Sequence, residues 1–480
     1  MTMQNRRAKI VATLGPATDG LERELVAAGL DAARLNFSHG TPEENGRRCF
    51  SIREAAKALN RTVAVIQDLQ GPRIRVGKLT TGRPVPLTAG QLLTIVAHDV
   101  EGTAERISTT YEGLAANVKT GDPIWLDDGR LRLRVIGVSP DEVVTRVEVG
   151  GQLGQHKGMN LPGVTIAVPS LTAADQDHLR FGVTELEVDY VALSFVRTAG
   201  DLLEAREMIR SLASDAKIIA KIEKAEAIAS LADILNVTDA VMVARGDLGV
   251  ELGPENVPAL QKAIVHQANA HGVPVIVATQ MLESMTRDEI PTRAEASDVA
   301  NAVWDNADAV MLSGETASGR HPRLVLEMMN RIICSAESAQ LEQGFQRNRN
   351  PATSEKSTRA AVTEAACVLA RDLRARAIVG MTQTGLTAQL LSSRRAAAPI
   401  FAFSPDERVC RRLALWWGVT PVHEPDSHDL ETSIAAMEAY LLTSGAATVG
   451  DSVVVAGPHP FSQGTPMNFV KYQQISQGAK

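Results

Sequence analysis

A chain of 480 residues has room for about three domains at roughly 150 residues each. Its 49 basic and 56 acidic residues leave a net charge of −7, which excludes a nucleic-acid binder working through a broad basic field but leaves room for a local pocket that takes a phosphorylated metabolite. Four scattered cysteines without a CxxC pair, and no stretch near the ~18 apolar residues of a membrane span, exclude a disulfide scaffold and a membrane protein; a cytoplasmic location is expected.

Between residues 8 and 340, short aliphatic runs alternate with segments of helical period, the pattern of a parallel α/β sheet. The first three runs are Lys9–Leu14, Ala32–Phe37 and Val63–Asp68. From about Gly71 to Val168 the rhythm breaks. Leu131–Val135 alternates with period two, Glu142–Val149 is rich in β-branched residues, and the turn pairs Asp128-Gly129 and Gly150-Gly151 separate such runs. This interval reads as an all-β module, a β-barrel lid over residues 71–168, inserted after the third strand where it could overhang the strands' C-terminal ends. Past Leu171, Thr172 and Asp175 open a helix in a capping-box arrangement.

Five more runs follow: Tyr190–Phe195, Lys217–Lys221, Ala240–Ala244, Pro274–Ala278 and Ala309–Leu312. Helical stretches at Asp201–Leu212, Asn256–Ala270 and Thr292–Asn306 lie among them. Eight strand–helix units predict a (β/α)8 TIM barrel over residues 1–70 and 169–345, with a doubly wound open sheet as the alternative. Beyond the polar stretch Gln343–Lys356, a helix near Ser357–Leu373 and strands at Ala377–Met381, Pro399–Phe403 and Ser452–Ala456 predict a C-terminal α/β domain over 346–480.

A barrel enzyme carries its chemistry at the carboxyl ends of its strands, and the polar residues of this chain fall there. Arg34 and Asn36–Gly40 belong to strand two, Asp68 with Arg73 and Arg75 to strand three, and Lys221 with Glu223 to strand five. Arg245-Gly246-Asp247, Thr279-Gln280 and Ser313-Gly314-Glu315 end the last three. Singly, each is as well explained by a helix cap, a rim charge or a turn glycine. Together they converge on one mouth, and their types point to phosphoryl transfer. Glu223 and Asp247 offer hard oxygens to Mg²⁺, Lys221 with Arg34, Arg73 and Arg75 could neutralise a moving phosphoryl group, and Gly246 could offer its N–H to a substrate carboxylate. With no Walker loop and no GxGxxG, a nucleotide would have to be held by the mouth and the inserted module.

Several of these residues stand in long runs that resemble the pyruvate kinase family: Ala33–Gly40, Lys221–Glu223, Met242–Glu251, Ala278–Met285, Pro291–Ala300 and Met311–Thr316. The likeness extends over nearly the whole chain and implies transfer of phosphate from phosphoenolpyruvate to ADP, giving pyruvate and ATP. Carried over by position, Glu223 and Asp247 would hold Mg²⁺ (or Mn²⁺), Lys221 would stabilise the phosphoryl group in flight and Arg34 would contact the phosphate. Gly246, Asp247 and Thr279 would bind the carboxylate end, with Thr279 in the enol-protonation region. Asn36, Phe37, Ser38, His39 and Arg75 would face the nucleotide, joined by Lys157 of the inserted module with Asp127 as its partner across the closing cleft. The family also implies a homotetramer.

The chain departs from many members after strand three, reading Asp68-Leu-Gln-Gly-Pro-Arg-Ile-Arg75 in place of Asp-Thr-Lys-Gly-Pro-Glu-Ile-Arg. A monovalent-cation site at Asn36, Ser38, Asp68 and Leu69 is therefore expected to be replaced by the guanidinium of Arg73, and K⁺ not to be required. The C-terminal loop Thr382–Thr387 stands where the family has its fructose-bisphosphate site. Thr382, Thr384, Gly385 and Thr387 make a candidate cradle for a phosphorylated effector, although a threonine-capped strand-to-helix turn would read the same. Gln383, where some sugar-bisphosphate-responsive members have lysine, argues for a different effector.

Two other readings stay open. A Mg²⁺-dependent lyase or aldolase acting on pyruvate enolates would not need the inserted module or the Asn36–His39 run. A non-catalytic metabolite sensor would not need an intact set of Lys221, Glu223, Asp247 and Thr279.

Overall fold

The computed structural model describes residues 6–164, 168–342, 357–425, 430–460 and 465–476; the polar stretch 343–356 lies outside them. The eight aliphatic runs form a closed, all-parallel barrel in chain order: Lys9–Leu14, Ala32–Asn36, Ala64–Asp68, Tyr190–Leu193, Lys217–Ile222, Ala240–Ala244, Val275–Ala278 and Ala309–Leu312. The open-sheet alternative falls because strand one pairs on both sides, Val11 opposite Ala32 and Lys9 opposite Ala309. Both faces of each strand are covered, which is why the runs are mostly apolar, with their polar residues towards the ends. Val11, Ala64, Ile219 and Ile276 fill the interior, while Ile10, Val65, Ile218 and Val243 pack beneath the helices. Strand four ends two residues earlier than its composition suggests, and Phe195 just beyond it has φ +56.

Caps begin the helices where the sequence places them. Thr172, Thr292 and Ser357 accept the N–H of Asp175, Glu295 and Ala360, opening helices Ala173–Thr184, Arg293–Trp304 and Thr358–Asp372. In the first two, the acid returns a bond to the cap's own N–H.

The inserted segment is a six-stranded sheet ordered Met159–Asn160, Pro123–Leu126, Leu131–Val138, Glu142–Val149, Leu92–Val96, Arg106–Ser108, beside a ribbon of Val85–Leu87 and Gly151–Leu153. Leu131, Leu133 and Val135 are buried and Arg132 is exposed, as period two requires. The strands of the expected all-β module fall into these two sheets among the described residues. The ribbon strands are three residues long and Pro86 removes a ladder donor, so the two sheets stay separate.

In the C-terminal domain, Val419–His423, Ile400–Ser404, Ala377–Met381 and Ser452–Pro458 run parallel, and Met467–Gln474 pairs antiparallel at the edge. The two edge strands escape sequence reading for a physical reason: one contains Pro421, and the other is half-solvated and polar. This domain docks on the barrel's amino-terminal floor, opposite the mouth. Arg411 Nε donates to Asp189 Oδ1 at 2.9 Å, Tyr190 Oη to the Arg412 carbonyl at 2.8 Å and Lys9 Nζ to the Val419 carbonyl at 2.6 Å.

Candidate active site

Strands two, three, four and five bring Arg34, Asp68, Ser194 and Lys221 into one buried cluster with Glu223. Arg34 Nε donates to Asp68 Oδ2 at 2.6 Å and its NH1 to Thr13 Oγ1 at 3.0 Å. Lys221 Nζ donates to Ser194 Oγ at 2.6 Å and lies 3.3 Å from Asp68 Oδ1 and 2.9 Å from Glu223 Oε1. The Ser194 hydroxyl in turn donates to the Leu69 carbonyl at 2.7 Å.

Burial works against the charge of Lys221, but Asp68 and Glu223 outweigh it and hold the ammonium above its ordinary range. Burial also opposes the charge of Asp68, yet Arg34 and Lys221 keep that carboxyl below its usual range. Glu223 goes the other way: burial and the charge of Asp247 push it up despite Lys221. Since Glu223 ion-pairs among the described residues with Lys221 alone, and shares it with Asp68, it is the member of the cluster short of positive charge. Its Oε2 accepts from the Phe195 N–H at 2.9 Å, whereas buried Oε1 has no hydrogen-bond partner, the Lys221 contact lying outside hydrogen-bond geometry. Asp247 is half-buried and lines the cleft beside this cluster. A carboxylate oxygen whose ion-pair contact is a lysine shared with Asp68, and a second carboxylate in the adjoining cleft, suit a hard divalent cation, so these residues fit Mg²⁺.

Beside this cluster, Gly246 N donates to Thr279 Oγ1 at 2.8 Å. Thr279 and Gln280 have φ +69 and +54, a conformation that non-glycine residues keep only under constraint. Arg245 supplies it. Its NH2 donates to the Thr279 carbonyl at 2.7 Å and its Nε to the Ala278 carbonyl at 3.2 Å, while NH1 is anchored on Asp298 Oδ1 at 2.8 Å. Sequence reading gave Arg245 and Ser194 no role, because both act through other residues. Glu315, by contrast, is fully buried and spent on the N–H groups of Leu282 and Ser313, so it is structural.

Asn36, Ser38 and His39 follow strand two at the mouth, with Asn36 Oδ1 accepting from Ser38 N at 3.1 Å. The ring of Phe37 is buried and not turned to the mouth. It is 4% exposed and packs edge-on against His178 at 5.3 Å, because side chains alternate faces along the run. Arg75 NH1 donates to the His156 carbonyl at 3.0 Å. Burial first, then Arg73, Arg75 and Arg34, hold the His39 pKa below its ordinary value. Arg73 is exposed and lines the cleft with Asp128 and Asp247.

Lys157 Nζ pairs with Asp127 Oδ1 at 2.8 Å inside the inserted module, so Asp127 is not a partner across the cleft: the two stand on neighbouring turns of one module. In the C-terminal loop, Thr382 and Thr387 are buried and Thr382 Oγ1 accepts from Gly385 N at 2.9 Å. Thr384 alone of the three threonines is exposed.

Fixed positive charge gathered beside an undersatisfied hard-oxygen pair is what movement of a phosphoryl group asks of a protein, and on a (β/α)8 barrel it defines a phosphotransferase. Comparison with known proteins takes this to the family. Residues 5–326 match the description "Pyruvate kinase, barrel domain" and residues 360–471 "Pyruvate kinase, alpha/beta domain". The chain is 43% identical over 478 residues to the pyruvate kinase of Geobacillus stearothermophilus, covering 98% of this chain and 81% of that one. It is 41% identical over 474 residues to that of Staphylococcus aureus (strain bovine RF122 / ET3-1), covering 98% and 80%. The crystal structure of a pyruvate kinase from Cryptosporidium parvum superposes with a TM-score of 0.91 at 34% identity, covering 98% of this chain and 97% of that one. The chain belongs to the pyruvate kinase family. Among the described residues no helix is long and apolar enough to cross a membrane.

Proposed function

We propose that the chain moves the phosphoryl group of phosphoenolpyruvate to ADP using Lys221, Arg34 and Thr279 as its catalytic groups. The observation that carries this is the buried ammonium of Lys221, kept protonated between Asp68 and Glu223 and aimed by Ser194. A terminal oxygen of ADP attacks phosphorus, the bond from phosphorus to the enol oxygen breaks, and the released enolate takes a proton at its methylene carbon to become pyruvate. Lys221 and Arg34 offset the charge spread over the transferring group. The substrate carboxylate takes the N–H of Gly246 and Asp247 and the hydroxyl of Thr279, whose Oγ1 is assigned to supply the proton and recover one from solvent. A divalent cation held by Glu223 and Asp247, Mg²⁺ or Mn²⁺, would add Lewis-acid stabilisation of the substrate oxygens. Asn36, Ser38, His39, Arg75 and Lys157 face the nucleotide, and closure of the inserted module excludes water as a competing acceptor. A coupled assay tests the reading: pyruvate should form only with both ADP and divalent metal. Release of pyruvate at the same rate without ADP would assign a lyase or phosphatase instead.

Independence from K⁺ is part of the same reading. Oxygens at three of the four positions that would hold the ion already accept hydrogen bonds: Asn36 Oδ1 from Ser38 N, the two Asp68 oxygens from Arg34 and Lys221, and the Leu69 carbonyl from Ser194. Arg73 adds a permanent charge at the cleft. We also propose a phosphorylated effector at Thr382–Thr387, supported by the exposed Thr384 beside a helix start, which Thr384→Asp should repel. A cytoplasmic homotetramer follows the family. Exposed Phe50, Ile290 and Trp304 supply apolar surface for assembly, and a monomer in light scattering at micromolar concentration would refute it.

A further inference from the structure

The two carboxylates proposed to hold the divalent cation stand on different elements. Glu223 directly follows strand five, whereas Asp247 lies in the first turn of the helix Arg245–Leu252, which opens at the end of strand six. Whatever fixes this helix against strand five therefore sets where the two carboxylates stand. The helix does little to hold itself. Two turns are marginal in water, and its N-cap residue, Ala244, supplies no side-chain cap. Arg245 anchors its first residue to the Thr279 carbonyl and to Asp298, which fixes it on the strand-seven side. On the strand-five side a different tie is made. Lys224, the residue after Glu223, donates to Glu251 Oε2 at 2.8 Å, and the two side chains are only 9% and 3% exposed. Glu251 sits in the last turn, where an acid opposes the helix dipole. Taking both charges out of water costs about as much as their attraction returns. Neither helix preference nor net stability accounts for this pair, but its place does. Lys224 lines the cleft with Asp247, and the helix that Lys224 caps, Ala225–Ala229, packs against Arg245–Leu252.

We propose that Lys224 and Glu251 are positioning residues for the metal pair: their buried ion pair clamps the helix Arg245–Leu252 to the end of strand five and so fixes Asp247 relative to Glu223. This rests on the reading that Glu223 and Asp247 take the cation. The clamp works through the charge pair. Neutral side chains of similar shape would keep the packing but give up the directed contact, and the helix could then shift along the strand end. Gly246 rides on the same helix with its N–H on Thr279, so the carboxylate end of the site moves with the metal end.

The test is titration of the full-length protein with Mn²⁺ alone, free ion being read from its electron paramagnetic resonance signal, beside a urea midpoint for each variant. Lys224→Met and Glu251→Gln should each weaken Mn²⁺ binding at least tenfold. The double variant should bind no more weakly than either single one, because two residues acting as one clamp can be lost only once. The double change leaves no buried charge unpaired, so it decides the matter if a single variant does not fold. Wild-type Mn²⁺ affinity in these variants, whatever their urea midpoints, would overturn the proposal. So would losses that multiply in the double variant, since the two residues would then act separately. Glu223→Gln keeps the underlying reading apart. If it loses Mn²⁺ while Lys224→Met and Glu251→Gln retain it, only the clamp is wrong. If the wild type takes up no Mn²⁺ saturably, or Glu223→Gln binds it equally well, the metal reading falls and the clamp with it.

Discussion

At the scale of single residues, the site works by unequal sharing. Lys221 sits between two carboxylates that hold its ammonium above its ordinary range, while Glu223 shares that cation with Asp68 and is itself pushed up by burial. Lys221→Ala should therefore lower kcat by ~10²–10³, the usual effect of removing one group that stabilises developing charge. Circular dichroism at 25 °C should show the fold retained, and near-wild-type turnover would remove Lys221 from the chemistry. The proposed independence from K⁺ turns on Leu69 and Arg73. In buffer free of K⁺ and NH₄⁺, adding K⁺ should change turnover by less than tenfold, a barrier difference under about 1.4 kcal/mol. The double change Leu69→Thr with Arg73→Glu should create a K⁺ requirement, because it removes the fixed guanidinium and adds oxygen ligands. Phe37 shows the limit of transfer by position: it lies in a motif proposed to face the nucleotide, yet the alternation of the chain turns its ring into the core.

Secondary elements make the next layer, and one junction serves two of them. Asp175 closes the capping box with Thr172 and also accepts from Gly71 N at 3.2 Å, tying the helix start to the chain's entry into the inserted module. Thr172→Ala should cost about 1 kcal/mol in urea unfolding, the ordinary worth of such a cap. Gly71 has φ +68, and a Cβ there would lie 2.9 Å from Phe195 and 3.0 Å from Ser194. Gly71→Ala should thus lower kcat more than its loss of stability predicts, since it displaces the serine that aims Lys221. A variant that loses stability and keeps kcat would show that Ser194 does not position the lysine. The left-handed turn at Thr279 is an element-scale device too, held by Arg245 from the neighbouring strand end.

For the whole molecule, the barrel floor is a docking surface written in buried charge. Lys9 is buried beside Asp31, Arg6, Arg61 and Glu337 and donates to Val419 of the C-terminal domain. Burial, only partly offset by Asp31, lowers its pKa from 10.5 to about 8. The unfolded chain keeps this proton up to pH 10.5 and the folded chain only up to about 8, so stability from this group rises with pH across that window. The stability of the wild type minus that of Lys9→Met should grow between pH 8 and 10.5, by up to about 3 kcal/mol at ~1.4 kcal/mol per unit. Thermal melts of the two proteins over this range would check it, and parallel curves would mean that Lys9 keeps its proton.

By itself, the sequence determined the barrel, its eight strands and the helix starts, because these follow from local periodicity and from caps that act within four residues. It also carried the chemical types at each strand end, since a closed parallel barrel sends all eight carboxyl ends to one mouth. The two edge strands of the C-terminal sheet went unseen, because pairing at an edge leaves little trace in composition. Only the tertiary structure decided which carboxylate shares which cation, that Asp127 pairs within its own module, that Phe37 faces inward, and that Arg245 and Ser194 position other residues. Those facts depend on distances of a few ångströms between strands far apart in the chain, and no local pattern records them.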